Sequence, residues 1–93
     1  MKSEITLFNA CMTRLSISNI CHGSGKPTDR YTSVVQLFDT VEDSKDSKEL
    51  IANIKKLYFV GFDNPIIDRE TDEYVRLRAN DSCGNICYMK ITK

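Results

Sequence analysis

Ninety-three residues, 41% apolar and 28% charged, with thirteen basic side chains against thirteen acidic, supply one modest hydrophobic core and no more. That balance excludes a disordered tail and leaves no global field drawing the chain to nucleic acid or anionic lipid. The longest apolar runs are a few residues, too short for a transmembrane helix, and the start MKSEITLFNACMTR lacks the pattern of a secretory signal.

Residues 4–20 alternate as a strand does. Ile5, Leu7, Asn9 and Cys11 are out of phase with Thr6, Phe8, Ala10 and Met12, and Leu15 and Ile17 are out of phase with Arg14, Ser16 and Ser18. No Gly or Pro marks a tight turn, so this is one long bent strand or two strands meeting at Met12–Thr13; the second is expected. Cys11 is expected as a small core residue. The stretch HGSGKPTDRY at 22–31 is a loop. Tyr31, Val34, Val35, Phe38 and Val41 recur at helical spacing and predict a short helix from about Thr32 to Val41.

The strongest periodic signal lies further on. Leu50, Ile51, Ile54, Leu57 and Tyr58 share one face of a 3.6-residue spiral and Lys48, Glu49, Lys55 and Lys56 share the other. Asp46 is placed to cap this helix, with Glu49 closing a capping box. Phe59 falls outside the apolar stripe. Either the helix ends at Tyr58 and residues 59–62 form a buried extended segment, or Phe59 is exposed as an anchor for a partner. Residues 63–73 read as a polar connection. The chain then closes in a β-hairpin, with Val75, Leu77 and Ala79 facing inward with Cys87, Met89 and Ile91.

Four stretches of the sequence bear on chemistry. GSGKPT at 23–28 resembles a phosphate loop, but Ile20 stands where a glycine is needed and Pro27 where Ser or Thr binds magnesium. A looser anion-binding nest at Gly23–Lys26 is the remainder of that idea. Cys21, His22, Cys83 and Cys87 offer zinc-binding atoms at a spacing unlike a zinc knuckle, and Cys83–Cys87 offers a disulfide across the hairpin tip. Without secretory context, reduced thiols in a cytoplasmic protein are expected. Cys21 and His22, as sequence neighbours, are poorly placed for nucleophile and base, so no catalytic residue, metal or cofactor is assigned. Last, Tyr74, Arg76, Arg78, Tyr88 and Lys90 share the outward face of the hairpin, which is the stacking-plus-phosphate chemistry of single-strand binders.

The expected fold is therefore a single α+β domain over 1–93: an antiparallel sheet of N-terminal strands and C-terminal hairpin, with two short helices on one face. The expected function is non-enzymatic protein binding, as an inhibitor or adaptor on a larger complex; small proteins of phages and mobile elements that inhibit bacterial host systems share this profile. Charge is uneven, with four basic residues against two acidic in 1–36, five against ten in 37–73, and four against one in 74–93. Contacts are accordingly expected at Asp39, Glu42, Asp43, Asp68, Glu70 and Asp72, at Phe59, or on the basic hairpin face. Single-strand nucleic-acid binding by that face is the alternative, and the chain is expected as monomer or homodimer, away from membranes.

Overall fold

The computed structural model describes residues 1–93. Five strands form one antiparallel sheet: β1 (Ile5–Asn9), β2 (Arg14–Leu15), β3 (Asp63–Glu70), β4 (Tyr74–Asn80) and β5 (Ile86–Thr92), in the order β2-β1-β5-β4-β3. Two helices, α1 (Val34–Asp43) and α2 (Ser47–Lys55), cover one side. The molecule is 19 Å thick along its shortest axis, the depth of one sheet and one helical layer.

The core lies between the layers because period-two alternation aims one set of side chains at the helices. Leu7, Met89 and Leu77 stand in register across β1, β5 and β4, and each is at most 1% exposed. Leu37 and Val41 from α1, and Leu50 and Ile54 from α2, close over them. Buried Ser44 ties the two helices. Its Oγ donates to the Thr40 carbonyl at 2.8 Å and accepts from Asn53 Nδ2 at 3.1 Å.

Local hydrogen bonds explain where the elements differ from the sequence expectation. The N-terminal segment is two strands, because Asn9 Oδ1 accepts from the N–H groups of Cys11 and Thr13 and Met12 takes φ +62. Cys11 is thereby turned out of the sheet and is exposed rather than buried. Helix α1 starts two residues later than periodicity implies, because Ser33 and Gln36 form a reciprocal capping box. Helix α2 is capped as expected by Asp46, which accepts from the Glu49 N–H at 2.8 Å, but the Glu49 side chain does not return a bond to the Asp46 N–H, so the expected capping box is only half formed. It stops at Lys55, short of Tyr58. Thr32 captures that end from the side, its N–H donating to the Tyr58 carbonyl at 2.8 Å and its hydroxyl accepting from the Tyr58 N–H at 3.1 Å.

Residues 63–70, expected as a connection, are a strand. Pro65, φ +53 at Asn64 and two register shifts against β4 hide its periodicity, and all are features of an edge strand guarded against further pairing.

Candidate functional site

The side of the sheet away from the helices carries no covering element. Register places its side chains in rows. One row runs Arg14, Phe8, Tyr88, Arg78, Ile66 across β2-β1-β5-β4-β3; the next runs Thr6, Lys90, Arg76 across β1-β5-β4. At strand spacings of about 4.8 Å, Arg14 and Arg78 flank the two rings from points roughly 14 Å apart. Phe8, Tyr74, Arg76, Tyr88 and Lys90 are half-buried, and Arg14 and Arg78 are exposed.

This face is a fixed surface rather than a set of free side chains. The Arg76 guanidinium lies 4.9 Å from the Tyr88 ring centre, and the Lys90 ammonium lies 4.6 Å from that of Tyr74. Both pairs run diagonally between β4 and β5, so each ring is held by a cation from the neighbouring strand. Arg76 also bonds Asp68 at 2.8 Å through Nε, with Nη2 2.6 Å from the same carboxylate oxygen. The hairpin residues expected on one face are thus together. Phe8 and Arg14 join them, which β1 alone does not reveal; its placement beside β5 is needed.

The acidic residues do not assemble into one patch. Asp39, Glu42 and Asp43 are exposed on α1, and Glu42 accepts from Ser3 Oγ at 2.8 Å. Asp68 lies among the arginines of the open face. Glu70 accepts from Lys93 and Ser47, each at 2.8 Å, and these bonds hold its carboxyl below its usual range. Asp72 is exposed in the β3–β4 turn. Phe59 requires correction as a partner anchor. It is 6% exposed, packed edge-on against Phe62 with ring centres 5.7 Å apart, and belongs to the core.

The loop at 22–31 fills its own nest. The Asp29 carboxylate accepts from both the N–H and the hydroxyl of Ser24, so an internal anion already sits on the Ser24 backbone donor within Gly23–Lys26. Those bonds lower the Asp29 pKa, and the support they give the loop is complete above the ordinary value of 3.8 and lost as pH falls through the depressed one.

Cys21 and Cys87 are buried, whereas His22, Cys11 and Cys83 are exposed, and no three His, Cys, Asp or Glu side chains converge in a metal-holding group. All four thiols are free. Burial pushes Cys21 and Cys87 up to about 11, with Asp81 and Asp63 adding to the effect at Cys87. Thiol labelling at pH 8 is therefore expected to modify Cys11 and Cys83 in the folded protein and to reach Cys21 and Cys87 only on unfolding. Peptide mass spectrometry after timed iodoacetamide treatment checks this; four equally fast cysteines would contradict the packing.

The chain matches no protein-family model, no curated protein and no solved structure. No helix is long and apolar enough to cross a membrane.

Proposed function

We propose that this is a non-enzymatic binding module that docks on another protein through the uncovered sheet face, working as an inhibitor or adaptor on a larger complex. The observation that carries the reading is the row Arg14–Phe8–Tyr88–Arg78, an aromatic centre with a cation at each end on a rigid sheet. Aromatic and arginine side chains are the residues that dominate binding energy at protein interfaces. The complementary partner surface is apolar at its centre and carries carboxylates at its margins. A second copy of the chain does not fit that description face to face, because like cations would meet.

Single-strand nucleic-acid binding is the weaker use of the same face. Base stacking needs open ring faces, whereas Tyr74 and Tyr88 each have a cation over the ring, and Asp68 neutralises Arg76. In its most concrete form the reading is an intracellular inhibitor of a bacterial host complex, of the kind carried by phages and mobile elements.

The test compares two sets of charge reversals after a partner has been captured from the native host and purified. Arg14→Glu with Arg78→Glu is expected to weaken its binding about thirtyfold or more. Asp39→Lys with Glu42→Lys and Asp43→Lys should leave it unchanged. Loss of the partner only in the acidic set moves the interface to α1. Salt-sensitive binding of short single-stranded DNA or RNA that disappears in the arginine pair hands the face to nucleic acid.

A further inference from the structure

The uncovered face of the sheet has a direction as well as a charge. Along β5 the side chains on that face are Ile86, Tyr88 and Lys90, and β1 sets Phe8 beside Tyr88 and Thr6 beside Lys90. Ile86 is 40% exposed and Phe8 and Tyr88 are half-buried, so an apolar strip two strands wide opens to solvent. The Lys90 ammonium leans off this strip, 4.6 Å from the Tyr74 ring centre on β4.

The strands that flank the strip carry the free cations. Arg14 of β2 stands on one side and Arg78 of β4 on the other, roughly 14 Å apart. The second register shift of β3 turns Arg69 to the same face, opposite Arg76. Arg76 is paired with Asp68, whereas Arg14, Arg69 and Arg78 are exposed and in no ion pair. An α-helix with its side chains is about 10–12 Å across, and it fits between such rails with its apolar stripe down. A carboxylate on either border of that stripe then meets a guanidinium from the side. Turned across the strands, the same rod sets both guanidinium groups beneath its apolar stripe, where their desolvation opposes binding.

We infer that the face takes one amphipathic α-helix of the partner, laid along β1 and β5, with Asp or Glu on both borders of its apolar stripe. The inference rests on the reading of this face as a protein-docking surface and adds the shape and charge of what docks. A second copy of the chain does not supply that helix. Its α1 is acidic at Asp39, Glu42 and Asp43, but Leu37 and Val41 are already buried in its own core. The partner is a different, acidic protein.

The experiment titrates the full ¹⁵N-labelled chain with a synthetic helix of seventeen residues, leucine at positions four, eight, eleven and fifteen, glutamate along both borders and alanine elsewhere. One control peptide changes two central alanines to proline, which breaks the helix, and another replaces glutamate by lysine. Saturable shifts are expected at Phe8, Ile86, Tyr88 and the Nε of Arg14 and Arg78, with both controls at least about tenfold weaker. Arg14→Gln with Arg78→Gln, on exposed side chains, should keep the melting temperature and lose about the same factor of ten. A nitroxide on either end of the peptide should broaden Ile86 and Thr92, the two ends of β5, more than Arg14 and Ile66 on the edge strands. The reverse order puts the rod across the strands and overturns the inference. Equal binding by the proline peptide overturns it too, while leaving the face a protein interface. So does the absence of saturable shifts from every peptide, and the charge reversals on the captured partner then decide the wider reading alone. A ten-nucleotide oligothymidine that binds these residues more tightly than the helix overturns both.

Discussion

Leu77→Ala is expected to lower the unfolding free energy by about 3 kcal/mol, within the range of roughly 2–5 kcal/mol for deleting a buried leucine side chain. Leu77 is 0% exposed on β4, flanked in register by Met89 of β5 and Ile67 of β3, with the helices above it. The sheet holds its neighbours' backbones in place, so the cavity cannot close by collapse. In a domain of this size each kcal/mol moves the melting point by about 4–8 °C, and a fall of roughly 12–24 °C should appear in a circular-dichroism melt. Arg78→Ala, one residue away on the open face, should change stability by no more than about 0.5 kcal/mol. Equal losses from the two variants would mean that the sheet is buried on both sides.

Gly23→Ala is the second large effect. Gly23 has φ +121, and an added Cβ would lie 2.2 Å from the Tyr31 carbonyl oxygen, a backbone atom that cannot swing aside. Strain of this kind costs about 1–3 kcal/mol, and relief requires Tyr31 to move. The variant should therefore lose stability and displace together the signals of Arg30 Nε and of Tyr58, whose hydroxyl accepts from Arg30 Nη2 at 2.8 Å, while those of the sheet face stay in place. Gly84→Ala is the matched control, since its φ is +84 and no atom lies within 4 Å of the added carbon. If the two alanine variants melt alike and leave Arg30 undisturbed, the loop is not packed on Tyr31 as described.

Much of this architecture can be read from patterns whose cause is local. The hairpin of β4 and β5 is legible because Val75, Leu77 and Ala79, and then Cys87, Met89 and Ile91, alternate without a break. Helix α2 is legible because its stripe and its Asp46 cap agree. What is hidden depends on partners distant in the chain. No periodicity foretells that Thr32 will take the hydrogen bonds of Tyr58 and end α2 early, or that β3 will pair despite Pro65. The site divides in the same way. Tyr74, Arg76, Arg78, Tyr88 and Lys90 follow from the phase of one hairpin. Phe8 and Arg14 become part of that surface only because β1 lies beside β5, about eighty residues later.

The position of β5 has an implication for how the molecule comes into being. Residues 86–92 are flanked by β1 on one side and β4 on the other, so they are the seam that joins the two halves of the sheet. Until that segment is in place, β1 and β2 are a lone ribbon and Leu7 has no neighbour on its open side. Formation of the body must therefore wait on a closure spanning nearly the whole chain, a slow event by the standards of small domains. A nascent chain halted before Ile86 would leave the apolar sides of Leu7 on β1 and of Val75 and Leu77 on β4 without their β5 neighbours, and that interval is when it would be open to chaperones and proteases.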